Sequence, residues 1–185
     1  MSTSATGPRD VTLRAATAQD ALCIGVLATQ VFLDTYATTG IRPSLAREVL
    51  EHLSPNAISE LLSLPGTAFI VAESSEHLVG FVQLTFGSAQ ELVASEFPAE
   101  LDRLYVHGRF SCKGIGKTLL HEAEHLAASR GASTLWLTAW VGNQRALSFY
   151  ASQGYKDIGA TMYAFQGEEY ENRVFVKALH AQTAT

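Results

Sequence analysis

The order of apolar patterns along the chain predicts an α/β domain, a mixed central sheet of about seven strands flanked by helices on both faces. Three observations carry that prediction. Leu101–Val106 reads as a strand, runs through a glycine-bearing turn into an amphipathic helix over Thr118–Ser129, and is followed by a branched and aromatic strand over Thr134–Ala139. Such a strand–helix–strand unit places its two strands parallel. Ala68–Ala72 and Leu78–Phe86 alternate about the polar turn Ser74–His77, as antiparallel neighbours do. Tyr155–Phe165 and Tyr170–Leu179 then close the chain as a second antiparallel pair about Gln166–Glu169.

The remaining elements follow from local signals. Val11–Ala15 is a short strand, and Ala16–Asp20 leads into a helix ending near Tyr36. Its apolar stripe is expected from Leu22, Ile24, Val26, Leu27, Val31 and Phe32, with Cys23 packed among them as a small hydrophobe. Thr38-Thr39-Gly40 breaks that helix, and a second helical region spans Ser44 to about Leu64 with an interruption at Ser54-Pro55-Asn56. A loop over Gly87–Pro98 precedes the central strand. Asn143 is positioned to cap a helix reaching Ser152, which Gly154 stops. The predicted order is β-α-α-β-β-β-α-β-α-β-β.

Composition narrows the function. A chain of 185 residues suits one domain, here residues 11–179, with tails at 1–10 and 180–185. Thirteen basic against 18 acidic residues give a formal charge of −5, which argues against nucleic acid or an anionic membrane as partner and suits a cationic small molecule. Cys23 and Cys112 are too few and too distant for a disulfide framework, so a reducing cytoplasm is the expected location. No apolar run reaches the ~20 residues of a membrane span.

The most informative segment is Ser111-Cys112-Lys113-Gly114-Ile115-Gly116-Lys117, between strand and helix. Closely spaced glycines at a helix start leave backbone N–H groups free to cradle a phosphate, and Lys113 and Lys117 add positive charge. A turn that merely joins strand to helix is the alternative. A Walker loop ending at Gly116-Lys117-Thr118 would need glycine where Ser111 stands, and a dinucleotide fingerprint starting at Gly114 would need one at Leu119. Further along, Asn143-Gln144-Arg145-Ala146-Leu147-Ser148-Phe149-Tyr150 ends in Gly154-Tyr155; positions 143, 146, 147 and 150 share one helix side. Phe149 reads as a core aromatic. The Tyr150 phenol, with an ordinary pKa near 10, suits proton donation to a departing thiolate.

Taken together, the two segments resemble the hallmark motifs of the GNAT acetyltransferase superfamily. The first fits [QR]-x-x-G-x-[GA] except for Ser111, and the second fits N-x-x-[AS]-x-x-[FL]-Y-x-x-x-G-[FY]. The resemblance spans Val11 to about Leu179 and implies a sheet splayed between its fourth and fifth strands. It implies acetyl-CoA as donor, its pyrophosphate on the amides of Ser111, Cys112, Lys113, Gly114, Ile115, Gly116 and Lys117. The pantetheine would run beside Leu104, Tyr105 and Val106, with Asn143 and Tyr150 on the facing helix. Arg109 or Lys113 would compensate for the missing leading Arg or Gln. Glu100 stands where some members keep a catalytic base; a solvated acidic pair with Asp102 on the same strand face is the alternative.

Phe32-Leu33-Asp34-Thr35-Tyr36 and the strand from Ala99 resemble the polyamine-acetylating kind, which implies a small primary amine as acceptor, with Glu48, Glu51, Glu96 or Glu168 lining a cationic channel. A protein N-terminal or lysine acetyltransferase, and a non-catalytic acyl-CoA sensor, are the rival readings. His121-Glu122-Ala123-Glu124-His125 spells H-E-x-x-H, but helical spacing turns both histidines away from the buried stripe, so no metal is expected. His52, His77, His107 and His180 are expected at the surface. The sheet edge and C-terminal strands are compatible with a homodimer.

Overall fold

A computed structural model of the chain describes residues 11–165 and 167–179. The tails at 1–10 and 180–185, with His180, and Gln166 of the closing turn lie outside the described residues. Seven strands form one sheet: β1 (Val11–Ala15), β2 (Thr67–Ser74), β3 (His77–Phe86), β4 (Pro98–Val106), β5 (Thr134–Trp140), β6 (Lys156–Phe165) and β7 (Glu168–Ala178). Their spatial order is β1-β2-β3-β4-β5-β7-β6, and β4 with β5 is the parallel pair. Among the described residues five α-helices flank the sheet: α1 (Ala21–Tyr36), α2 (Pro43–His52), α3 (Pro55–Ser63), α4 (Ile115–Ser129) and α5 (Gln144–Ser152). Among the described residues no helix is long and apolar enough to cross a membrane.

The strand alternation builds two cores. On β2, Phe69 and Val71 join Phe81 of β3 beneath α1, α2 and α3, while Ile70 and Ala72 join Val82 and Leu84 beneath α4 and α5. Hence helices cover both faces. The single interrupted helical region resolves into two helices because Pro55 opens α3 and Ser54 caps it, its hydroxyl accepting the Ala57 amide at 3.2 Å.

The expected stripe of α1 is wrong in part. Leu22 and Val26 are 62% and 61% exposed, and Cys23 is exposed too. The buried line is Ala21, Ile24, Gly25, Leu27 and Ala28, because α1 meets the α2–α3 corner through its smallest residues. A Cβ on Gly25 would sit 2.9 Å from the Leu53 carbonyl oxygen and 3.0 Å from the Pro55 nitrogen. Both are backbone atoms that cannot step aside. Gly25→Ala should therefore cost about 1–3 kcal/mol despite its gain in helix propensity. Thermal unfolding checks this; an unchanged or raised Tm would show that the corner yields.

One feature of the sheet positions everything else. β4 and β5 pair over Pro98–Thr134, Ala99–Leu135 and Glu100–Trp136, and no further. Beyond Glu100 the strands part, each still paired on its outer side, β4 with β3 except at Asp102 and β5 with β7. A bulge opposite Gln83–Leu84 bends β4 where the gap opens. The expected splay between fourth and fifth strands is present.

Candidate active site

Beyond Val106 the chain turns tightly. His107 starts a 3₁₀ turn over Gly108–Phe110, Cys112 takes a left-handed φ of 60°, and Gly114 follows at φ 85° directly before α4. The helix begins at Ile115, three residues before the apolar pattern suggested, because Ile115 itself is buried and serves as its first anchor. The first amide bonded back within this turn is that of Thr118, to the Gly114 carbonyl at 3.0 Å. Amides of Ile115, Gly116 and Lys117 precede it, and no side chain caps them. Cys112, Lys113 and Gly114 likewise donate to no backbone acceptor among the described residues. Ser111 is different: its amide is spent on the Gly108 carbonyl at 3.2 Å.

A cavity of about 560 Å³ runs from this turn into the splayed gap. Of the sequence-predicted residues, Leu104, Tyr105, Val106, Ser111, Cys112, Gly114, Gly116, Lys117, Asn143 and Tyr150 line it. Ile115 faces the core instead, and the Lys113 ammonium lies 5.0 Å over the Phe110 ring. Arg109 does not line the cavity either, whereas Arg145, on α5, does. No motif marks Arg145 in the sequence, although with Ser148 and Ser152 it follows helical i, i+3, i+7 spacing. Lys117 and Arg145 are thus the cations on the wall.

Strand alternation fixes which backbone groups face the gap. The His107 amide donates to the Val79 carbonyl at 2.9 Å, so Tyr105, two residues back, also turns toward β3. Leu104 and Val106 therefore direct their N–H and C=O groups into the gap. Facing them, α5 is capped as expected, the Asn143 Oδ1 accepting the Ala146 amide at 3.1 Å. Tyr150 is 9% exposed, and its ring meets Phe149, Tyr155 and Phe175 at centroid distances of 5.2, 5.8 and 6.1 Å. Burial pushes its phenol above the ordinary tyrosine range, so it stays protonated at neutral pH. Phe149, expected in the core, is only half-buried and shares the cavity wall.

A second cavity of about 340 Å³ adjoins the first, and Tyr36 and Tyr105 line both. Glu100 and Asp102 share its wall, as their common strand face suggested. Glu100 accepts from the Ser88 hydroxyl at 2.6 Å, and Asp102 from the Thr85 hydroxyl at 2.8 Å. Burial raises the Glu100 carboxyl above its ordinary value, and the Ser88 hydrogen bond partly opposes the rise. Of the four acids expected along a cationic channel, Glu48 lines this cavity. Glu51 and Glu96 are exposed and do not line it, and Glu168 pairs with Arg42 at 2.7 Å. The aromatic residues Phe32, Tyr36, Trp140, Tyr163 and Tyr170 also line it, as do the cations Arg42 and Arg103, and no local sequence signal joined them.

His121 and His125 are exposed on α4, and among the described residues no group of three or more His, Cys, Asp or Glu could hold a metal ion. His107 is half-buried rather than at the surface, its Nδ1 accepting the Arg109 amide at 3.3 Å. Free amides at an uncapped helix start, flanked by Lys117 and Arg145 and opening on a long cavity, fit a nucleotide pyrophosphate with a pantetheine arm.

Residues 35–155 match the sequence profile of the acetyltransferase (GNAT) family. A spermidine N(1)-acetyltransferase of Thermoplasma acidophilum is 31% identical over 126 residues, which is 68% of this chain and 71% of that protein. An uncharacterised N-acetyltransferase of Lactobacillus delbrueckii subsp. lactis is 24% identical over 153 residues, 83% of this chain and 88% of its own. Among solved structures, the PaiA N-acetyltransferase of T. acidophilum in complex with coenzyme A superposes with a TM-score of 0.71 at 24% identity, covering 91% of this chain and 99% of that one. The chain belongs to the GNAT family and is an N-acetyltransferase that draws on acetyl-CoA.

Proposed function

We propose that the acceptor is a primary amine on a small cationic molecule of the polyamine type, acetylated where the two cavities meet beside Tyr36 and Tyr105. The second cavity carries this reading. Its size suits a small molecule, its rings and the carboxylates of Glu48, Glu100 and Asp102 suit an ammonium group, its cations Arg42 and Arg103 are engaged by Glu168 and Gln83, and it opens on the splayed gap. The relative named as a spermidine N(1)-acetyltransferase supports it.

When bound, acetyl-CoA supplies an acetyl carbon activated as a thioester. The chain contributes grip, orientation and proton transfer. Amides from Cys112 to Lys117, with Lys117 and Arg145 beside them, hold the pyrophosphate. Leu104 and Val106 offer backbone donors along the gap, placed to stabilise negative charge growing on the carbonyl oxygen. Glu100 removes the amine's proton. It stands four residues before Leu104, about 13 Å along a strand, so the transfer runs through water. Tyr150 protonates the sulfur as the C–S bond breaks and the C–N bond forms, and then recovers a proton from solvent. Both cysteines are free thiols, which suits a reducing cytoplasm.

The raised Glu100 pKa fixes the sign of the acid limb. A base works only when ionised, so turnover should fall as pH drops through a value above the ordinary carboxylate range. Glu100→Gln should lower kcat by about 10²-fold and abolish that limb. A pH–rate profile that keeps the limb in the variant would remove Glu100 from the mechanism. For the acceptor class, thiol release is measured with spermidine, diamines, aminoglycosides and peptides. Release with peptides alone favours a protein acetyltransferase; release with none, despite acetyl-CoA binding, favours a sensor.

A further inference from the structure

We propose that Glu48 selects acceptors that carry a second cationic nitrogen, by pairing with that distal ammonium inside the ring-lined acceptor cavity. The inference rests on the acceptor reading above and goes further by separating the cavity's acids. Glu100 and Asp102 each take a short hydrogen bond from a neighbouring hydroxyl, Ser88 and Thr85 respectively. Arg103, the nearby guanidinium, donates to the buried side-chain oxygen of Gln83. Glu48 is different. Its side chain is 13% exposed, yet its carboxylate meets no hydrogen-bond donor among the described residues. Two cations act on it, Arg103 across the cavity and His52 on the next helical turn, whose Nε2 lies 3.8 Å away, beyond hydrogen-bonding range.

No buried side-chain oxygen among the described residues lacks a hydrogen-bond partner, so the Glu48 oxygens open on the cavity with lone pairs free for an incoming cation. The cavity wall independently suits the same guest. Ring contacts run from Phe32 to Tyr36 at 4.7 Å, on to Trp140 at 5.6 Å and to Tyr170 at 6.4 Å, carrying an aromatic belt from α1 across to β5 and β7. Ring faces attract ammonium groups and tolerate the methylene chain between them. A monoamine of equal length would lay an apolar end against Glu48 and leave the carboxylate unpaired. Discrimination thus comes from a penalty on the wrong acceptor as much as from a gain on the right one.

The test uses the full chain, acetyl-CoA, and two acceptors that differ in one amine, 1,4-diaminobutane and n-butylamine, read by thiol release. Glu48→Gln should raise the diamine KM by roughly 10-fold or more with kcat within about twofold, while the butylamine KM stays level or falls. Equal KM changes for both acceptors, or none, would overturn the assignment. Where melting shows that the Gln variant does not fold, the wild-type kcat/KM ratio decides. A diamine preference of roughly 10-fold or more supports the proposal, and a ratio near one overturns it. Release with neither amine, while acetyl-CoA still binds, overturns the acceptor reading itself and Glu48 with it.

Discussion

Tyr150→Phe should lower turnover by roughly 10²- to 10⁴-fold, the range a positioned general acid supplies, and leave acetyl-CoA affinity within about twofold. The substitution removes one oxygen and nothing else from the packing. The rings of Phe149, Tyr155 and Phe175 keep their partner, and α5 keeps its Asn143 cap. The hydroxyl carries no structural duty either, because it opens on the cavity and no hydrogen bond to another described residue depends on it. Burial keeps the phenol protonated across the working pH range, so its proton is available when the sulfur departs. Thiol-release kinetics give kcat and calorimetry gives the acetyl-CoA Kd. Unchanged turnover would strip Tyr150 of its role; an equal loss in affinity would make it a binding residue instead.

The second large effect is expected at Gly116. A Cβ there would have ordinary contacts only, 3.8 Å from both Phe149 and Val106, so the fold should tolerate a side chain. Yet Gly116 belongs to the first turn of α4 and lines the cavity among the free amides. Gly116→Asp sets a carboxylate where a pyrophosphate would lie, and should weaken acetyl-CoA binding by roughly 10²-fold, on the scale of losing one or two charge-assisted hydrogen bonds. The melting temperature without acetyl-CoA should barely move, because a carboxylate at a helix start is itself favourable. Gly116→Ala should weaken binding far less. Calorimetric titration of both variants decides; undiminished affinity in the Asp variant would move the pyrophosphate elsewhere.

The donor-side cavity was legible because two continuous segments build most of it. A strand, a turn that needs left-handed φ at Gly114, and a helix with free amides are local events, and so is the Asn143 cap. Local signals fail where packing decides. Leu22 and Val26 looked like the buried face of α1, but Gly25 against the Leu53–Pro55 backbone sets the rotation of that helix. Arg145 carries no motif, and its place on the cavity wall follows only from where α5 docks. The acceptor cavity draws on α1, α2, β4, β5, β6 and β7, whose residues are far apart in the chain, so Glu48 could not be told from Glu51 or Glu96 by type or spacing. The splay itself is written in absent backbone pairings, to which side-chain identity gives little access.

That early parting of β4 from β5 leaves the sheet as two panels, β1 to β4 and β5-β7-β6, stitched together at their narrow end. Any extended arm lying in the gap and bonding to Leu104 and Val106 takes the place of a missing rung. A donor molecule bound in that way would, for as long as it is held, be part of the scaffold's own hydrogen-bond ladder. Its departure would leave that stretch of β4 and β5 without a rung between them again.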